Sequence, residues 1–242
     1  MRIEPYGVGS VVHVVKRGAR GMEIVRDDAD RWRFTRLLYV LNDTYQTTCR
    51  HEHHPQLHKS DLCNDVHLFK RPNHWPDREP LVSILGWTLM PNHLHLLLRE
   101  IREGGISKFM QRLCGSMSTT FNQKYEEKGS IFQGAFRGKT VDTDEYLRYV
   151  LAYIVVKNVF ELYPDGLASA VNDFEKAWKW AGTYPFSSFR TAAYGDLSPI
   201  IDHACLADLG LPGKDFKKDT FDMLSGHMHT RSDLSSLILE DW

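Results

Sequence analysis

The order of hydrophobic and polar residues along the first third of the chain predicts a strand, a helix and a polar loop. An apolar, β-branched segment at 8–18 ends at a glycine and predicts a first strand that contains His13. The next segment, 27–45, opens with acidic residues and repeats apolar residues at helical spacing, which predicts a helix packed against a sheet. From 49 to 79 the sequence becomes polar and rich in histidine, and we interpret it as a long loop with one short strand near 66–69.

The segment LMPNHLHLLL, residues 89–98, predicts the turn and the return strand of a hairpin. Proline followed by asparagine is typical of a turn, and the apolar LVSILGWTLM before it predicts the partner strand. Because side chains alternate along a strand, His93 and His95 point to the same face and could bind one metal ion together. The alternative is that both are ordinary polar residues on a half-exposed face of the sheet.

Two further helices are predicted in the second half of the chain. Residues 104–129 have one apolar stripe at helical spacing, which predicts a helix that faces the core. The stripe consists of Ile106, Phe109, Met110, Leu113, Met117 and Phe121. The segment GSIFQGAFRGKTV predicts a loop or strand whose aromatic residues either stack on nucleic acid bases or belong to the core. The other helix begins at Asp142, its predicted N-cap, and ends before Pro164, and several short helices are predicted beyond it.

Three tyrosines lie along one face of this last long helix. Tyr146, Tyr149 and Tyr153 are spaced i, i+3 and i+7. One interpretation is an aromatic packing stripe whose hydroxyls reach the surface. The other is a nucleophile, because a divalent ion held by His93 and His95 would polarise a phosphodiester for attack by a phenol oxygen. The resulting phosphotyrosine bond conserves the energy of the phosphodiester, so a second DNA end can later displace the tyrosine.

Composition narrows the class of protein without identifying a ligand. With 242 residues, of which 42% are hydrophobic, the chain fits one substantial domain with an appendage or two small domains. It has no apolar run of membrane-spanning length and no signal-peptide pattern, and its four cysteines have no paired spacing. These features predict a cytoplasmic protein with free thiols and no membrane partner. The net charge of −1 gives no sign of a nucleic acid partner.

Local charge departs from this average in two segments. HVVKRGARG carries three basic residues, including Arg17, and no acid, and residues 128–139 carry Arg137 and Lys139, likewise without an acid. Each segment alone is explained by a solvated loop, whereas together they could line one track for DNA phosphates.

The histidine-rich segment 49–79 supports a third interpretation, a structural zinc site in an interaction domain. The candidate ligands are Cys49, His51, His53, His54, His58 and Cys63. No pair of these cysteines has zinc-finger spacing, so a solvent-exposed loop remains the alternative.

In combination, the motifs resemble the REP-associated tyrosine transposases, which are single-tyrosine HUH transposases of insertion-sequence type. The resemblance lies in six blocks that follow the expected order over most of residues 8–190. The blocks are VHVVKRG, DDADRWRF, LGWTLMPNHLHLLL, FNQKYEEKGSIFQGAFRGKTV, DEYLRYVLAYIVVKNV and YPFSSF. A lone His-x-His pair would be weak evidence, but six blocks in order are specific.

The resemblance implies an α+β fold, ferredoxin-like or RRM-like, in which helices pack on an antiparallel sheet. It implies that His93 and His95 bind Mg²⁺ or Mn²⁺ and that Tyr153 is the nucleophile. Members of the family cleave single-stranded DNA beside a hairpin and leave a 5′-phosphotyrosine and a free 3′-hydroxyl. The candidate DNA contacts are Arg17, Gln133, Arg137 and Lys139.

Two positions depart from the family pattern. The family usually has an asparagine four residues after the tyrosine, where this chain has Lys157, and an ammonium group cannot coordinate a metal. Asn158 then becomes the candidate third ligand if the helix is locally irregular, and His13 or water is the alternative. The second departure is Ala135, where the family commonly has arginine, which predicts altered DNA contact.

We therefore expect a metal-dependent single-stranded DNA endonuclease and strand transferase. The competing expectation is a non-catalytic DNA hairpin-binding protein derived from such an enzyme, because Lys157 occupies the position of an expected ligand. We expect a nuclease domain at 1–165 and a short helical C-terminal extension at 166–242 that packs on or beside it. The sequence leaves open whether the protein acts as a monomer or as a homodimer.

Overall fold

A sheet of four antiparallel strands forms the centre of the residues that the computed structural model describes, which are 6–45, 69 and 74–229. The strands are β1 (Val11–Arg17), β2 (Val82–Leu89), β3 (His93–Glu100) and β4 (Arg137–Thr140). They are ordered β2-β3-β1-β4. Helix α1 (Asp28–Val40) lies between β1 and β2 in the chain, and α2 (Gly105–Tyr125) lies between β3 and β4. This is a ferredoxin-like chain order, and the predicted α+β class is confirmed.

Helices α1 and α2 cover one face of the sheet. Phe34 of α1 contacts Trp87 of β2 with ring centroids 5.8 Å apart. Asp27 caps α1 in a capping box with Asp30, which explains why the acidic segment starts a helix. The six apolar residues predicted to form the stripe of α2 are all buried, so that prediction is confirmed.

The opposite face carries a helix that contains a π-helical turn. Its parts are α3 (Asp144–Ala152), the π-helical turn (Tyr153–Lys157) and α4 (Asn158–Phe160). The Thr88 hydroxyl of β2 donates a hydrogen bond of 2.6 Å to the carbonyl of Ile154. A Cβ at Gly86 would lie 2.9 Å from the side chain of Leu151, so glycine permits this close approach.

The predicted N-cap of this helix, Asp142, is wrong. The cap is Thr143, whose backbone is extended (φ −127°, ψ 150°) and whose hydroxyl accepts a hydrogen bond from the amide of Tyr146. A cap side chain must reach the amides of the first turn, and Asp142 lies one residue too early to do so.

Five more helices follow in the described part of the chain. They are α5 (Gly166–Asn172), α6 (Phe174–Ala181), α7 (Phe189–Tyr194), α8 (His203–Asp208) and α9 (Phe216–His229). Their buried side chains join those of the sheet in one hydrophobic cluster. The division of the chain into a nuclease domain and a C-terminal extension at residue 165 remains a prediction. Between α6 and α7, the segment 186–188 bonds to β2: Leu89 donates to the carbonyl of Phe186 at 3.0 Å, and Ser188 donates to that of Trp87 at 2.9 Å.

Several sequence predictions fall on residues that the structure does not describe. The strand near 66–69 lies outside them except for Phe69, and so do the candidate zinc ligands between Cys49 and Cys63. Cys114 and Cys205 are free thiols. Across 6–45, 69 and 74–229, no helix combines the length and the hydropathy that crossing a membrane requires.

Candidate active site

His93 and His95 lie on the sheet face that carries the π-helical turn. In the register of the sheet, His95 is opposite Thr88 of β2, whose hydroxyl bonds to that turn. His95 is fully buried, whereas His93 at the start of β3 is partly buried. Their ring centroids are 4.9 Å apart with an angle of 76° between the planes. The hairpin therefore brings the two imidazoles together, as alternation along a strand predicts.

The hydrogen bond that His93 donates to the side chain of Asn92 fixes the proton position on His93. The Nδ1 atom of His93 lies 2.7 Å from the side-chain oxygen of Asn92, and the amide nitrogen of Asn92 donates to the carbonyl of Gly21 at 3.3 Å. Because a carbonyl oxygen can only accept, Nδ1 must carry the proton. The lone pair of the ring is then on Nε2, which is the form that a metal ligand requires.

Tyr153 packs against the buried histidine. Its ring centroid is 5.9 Å from that of His95, and its side chain is 3% exposed. Three tyrosine rings run along the helix: Tyr146 and Tyr149 are stacked at 6.3 Å, and Tyr149 and Tyr153 at 6.4 Å. Of the three, Tyr153 is the one that reaches the histidines.

The π-helical turn determines which residue follows Tyr153 on the same side of the helix. The backbone N–H of Asn158 donates to the backbone carbonyl of Tyr153, five residues earlier, instead of to the carbonyl four residues earlier. The wider turn therefore places Asn158, rather than Lys157, in the position one turn after Tyr153. Asn158 is fully buried, and neither polar atom of its side chain has a hydrogen-bond partner among the described residues.

Lys157 is directed to the tyrosine hydroxyl and to an acid. Its Nζ donates a hydrogen bond of 3.3 Å to Tyr153 Oη and lies 2.7 Å from a carboxylate oxygen of Glu161. The ammonium group is 4.6 Å from the centre of the Tyr153 ring, and the residue is 6% exposed. Lys157 thus contacts the candidate nucleophile directly.

His93, His95 and Asn158 are of residue types that could hold a divalent ion. Among the described residues, no three side chains of the His, Cys, Asp and Glu types form a metal cluster, so a third protein ligand would have to be of another type. Asn158 supplies an amide oxygen, a donor that Mg²⁺ and Mn²⁺ accept, and a ligand would satisfy its buried amide. The proton on Nδ1 of His93 supports the same assignment.

A further polar group on this face is His13 of β1, the alternative third ligand suggested by the sequence. Its Nε2 lies 3.0 Å from Nδ1 of His95, and its ring is 6.0 Å from that of Tyr153. The lone pair or proton on Nε2 is therefore engaged with His95.

The candidate DNA contacts lie on, or next to, the sheet face that carries His93 and His95. Cross-strand partners share a face, and Arg17 is opposite His93, while Lys139 of β4 is opposite His13. Arg137 is opposite Val15, which is in turn opposite His95. Gln133 is exposed in the loop before β4, and its backbone N–H donates to the backbone carbonyl of Arg17 at 2.9 Å. Ala135 of the same loop is exposed.

The roles of three supporting residues were not predicted from the sequence, which placed Lys16 among the basic residues that could contact phosphates. Lys16 is buried and donates hydrogen bonds to the carbonyls of Gln133 and Gly134, so it anchors the loop that carries Gln133. Burial lowers the pKa of Lys16. Asn92 orients His93, and the position of Asn92 in the turn before His93 was the signal in the sequence that could have indicated this. Thr88 donates a hydrogen bond to the π-helical turn, and no sequence signal indicates that contact.

One segment of the chain is similar to a known protein family. Residues 78–157 match the family model described as IS200-like transposase. A solved structure of a REP-associated tyrosine transposase bound to a REP hairpin is similar at 13% sequence identity and a TM-score of 0.41. The similarity covers 82% of this chain and 89% of that one. No curated protein sequence matches the chain.

Proposed function

Because residues 78–157 match the family model described as IS200-like transposase, we propose that the protein is a metal-dependent single-stranded DNA endonuclease and strand transferase. It would cleave beside a DNA hairpin through a 5′-phosphotyrosine intermediate. The observation that carries the proposal is the contact between Tyr153 and His95, because it joins a phenol from the helix to the imidazoles of the sheet. The hairpin as substrate rests on the resemblance of the sequence blocks.

His93 and His95 would hold Mg²⁺ or Mn²⁺ through Nε2, and Asn158 would contribute its side-chain oxygen. The ion would neutralise charge on the non-bridging oxygens of the scissile phosphate. The residues present the donor types that such an ion accepts, and the buried amide of Asn158 supports its inclusion.

Tyr153 would act as the nucleophile. Its Oη forms a bond to phosphorus as the bond between phosphorus and the 3′-oxygen breaks. The phenol proton passes to solvent, and the released 3′-oxygen takes up a proton to become a hydroxyl. In the second half of the reaction a different 3′-hydroxyl attacks the phosphotyrosine and releases the phenol, which completes strand transfer without an external energy source.

Basic residues around this face would hold the DNA strand. Arg17, Arg137 and Lys139 share the face of the histidines and would contact phosphates, whereas Gln133 would contact the strand from the adjoining loop. Their positions around the site, rather than the net charge of −1, account for DNA binding in this proposal.

A covalent adduct assay tests the nucleophile. The protein is incubated with a hairpin-bearing single strand and Mn²⁺, and a protein–DNA adduct that survives denaturation is expected. Tyr153→Phe should abolish the adduct. Tyr149→Phe is the matched control, since burial raises the pKa of the Tyr149 phenol and its ring stacks on that of Tyr153 at 6.4 Å, on the same helix. An adduct formed by the Tyr153→Phe variant would show that Tyr153 is not the nucleophile.

The second candidate is a non-catalytic protein that binds DNA hairpins. The ion pair between Lys157 and Glu161 favours it, because a structural salt bridge occupies a position where the family usually has a ligand. Calorimetry separates the two functions. The enzyme should bind Mn²⁺, alone or with DNA, whereas absence of binding in both conditions would support the binding protein.

A further inference from the structure

His13 and His95 share a buried hydrogen bond between their rings. Nε2 of His13 lies 3.0 Å from Nδ1 of His95, and the two side chains are 1% and 0% exposed. The rings are stacked with centroids 5.3 Å apart and 25° between their planes. Because His13 is opposite Leu97 in the sheet, it is a diagonal neighbour of His95 on the same face.

A single proton lies between the two nitrogens, and its position depends on what His95 does with its other nitrogen. For His95 to bind a metal, Nε2 must carry the lone pair, so the proton must be on Nδ1. The Nδ1–H group then donates to Nε2 of His13. His13 in turn must carry its own proton on Nδ1 in order to accept.

His13 would therefore act on the metal site without being a ligand. Its accepting lone pair is used by His95, so it cannot bind the same ion through Nε2. The ring also packs against Tyr153, so His13, His95 and Tyr153 are in pairwise contact at 5.3, 5.9 and 6.0 Å. His13 consequently fixes the ring plane of His95 and the side of the ring against which Tyr153 rests.

We propose that His13 is a positioning residue that sets the tautomer and the orientation of His95 for binding a divalent cation. The proposal rests on the proposed function. It parallels the role of the Asn92 amide at His93, so each imidazole has one neighbour that holds its Nδ1 proton. Such outer partners of metal-binding histidines typically change metal affinity about 10- to 100-fold when they are lost.

Substitution of His13 tests the proposal through metal affinity. His13→Leu removes the acceptor, and Mn²⁺ should bind about 10- to 100-fold more weakly in calorimetry. His13→Gln retains an acceptor near the position of Nε2 and should recover most of this loss. Val12→Ala is the control, because Val12 is buried on the other face of β1 and should leave Mn²⁺ affinity unchanged.

Nitrogen-15 correlation spectra of the histidines give a measurement on the unsubstituted protein. In the presence of Mg²⁺, both His13 and His95 should carry their proton on Nδ1. A spectrum with the His95 proton on Nε2 would overturn the proposal even if the leucine variant did not fold.

The outcomes separate the two levels of inference. If the unsubstituted protein binds Mn²⁺ and forms the DNA adduct, but folded His13→Leu binds Mn²⁺ equally well, the role of His13 is wrong and the proposed function stands. If the unsubstituted protein neither binds Mn²⁺ nor forms the adduct, both are wrong.

Discussion

Lys157 donates a hydrogen bond to the hydroxyl of Tyr153 across 3.3 Å, from a position where the resemblance to transposases implies a metal ligand. The ammonium group cannot replace that ligand, yet its charge is beside the atom that the proposed reaction uses. Glu161 holds it there at 2.7 Å. Lys157 thus brings a cation to the phenol, while the π-helical turn places Asn158 one residue later.

Lys157→Met should slow adduct formation. In the proposed reaction, negative charge would develop on the Tyr153 oxygen before it attacks and when it leaves, and the ammonium group would stabilise that charge. Loss of one such donor typically costs about 10²-fold in rate. The rate of adduct formation under saturating DNA and Mn²⁺ measures it. Glu161→Gln removes the charge of the ion pair but retains a side-chain oxygen that can accept from Lys157, so it is the control with the smaller expected effect. An unchanged rate for Lys157→Met would refute the role of the cation.

Asn158→Leu should stabilise the protein in the absence of metal and remove stabilisation by Mn²⁺. A buried amide without partners costs about 1–3 kcal/mol, which an apolar side chain of similar size avoids, so the free energy of unfolding should rise by about 1 kcal/mol. Denaturant titrations with and without Mn²⁺ measure both effects.

Asn42→Leu provides the contrast. Asn42 is equally buried, but its side chain accepts from the amides of Leu81 and Val82 and donates to the carbonyl of Val82. Its loss should destabilise the protein by about 3 kcal/mol. Equal destabilisation by the two substitutions would mean that the Asn158 amide is satisfied in the fold and is not kept for a ligand.

Thr88→Val should destabilise the π-helical turn. The substitution keeps the shape of the side chain but removes the donor to the Ile154 carbonyl, at a cost of about 1–3 kcal/mol. Adduct formation should slow as well, because this bond holds the helix of Tyr153 on β2. Thr220→Val is the matched control: that hydroxyl, also buried, donates to the Phe216 carbonyl within α9 and lies in a different part of the fold. If both variants form adduct at the same rate, Thr88 has no special role.

Lys139→Ala should lower the affinity for DNA and make that affinity less sensitive to salt concentration. Each phosphate contact on a single strand contributes about −0.7 to the slope of log K against log salt, so one lost contact should reduce the slope by about that amount. Fluorescence anisotropy with a labelled hairpin oligonucleotide across a salt series measures the slope. Lys218→Ala, on the exposed side of α9, should leave it unchanged. The same slope for both variants would remove Lys139 from the DNA interface.

The elements with strong periodicity were predictable from the sequence. The hairpin of β2 and β3 follows from the apolar segments on either side of the turn at Pro91-Asn92, and the stripe of α2 follows from its helical spacing. The order of the strands is set by long-range pairing, which no local pattern specifies, and it entered through the family resemblance. The N-cap was misplaced by one residue because both Asp142 and Thr143 are capping residue types.

The π-helical turn marks where sequence reasoning reached its limit. Nothing in YIVVKN distinguishes an α-helical from a π-helical turn, because the extra residue is accommodated by contacts outside the helix. The bond from Thr88 to Ile154 is one of them, and it joins residues that are 66 positions apart. The departure at Lys157 was visible in the sequence, but the hydrogen bond of His13 to His95 and the burial of Asn158 are tertiary features that no local pattern predicts.

The segment that bonds to the outer side of β2 has a consequence for self-association. Leu89 and Trp87 already exchange backbone hydrogen bonds with Phe186 and Ser188 of the same chain. A strand from a second molecule would therefore find these groups occupied, and edge-to-edge aggregation is blocked at this margin of the sheet. Any dimer that extended the sheet would have to do so elsewhere.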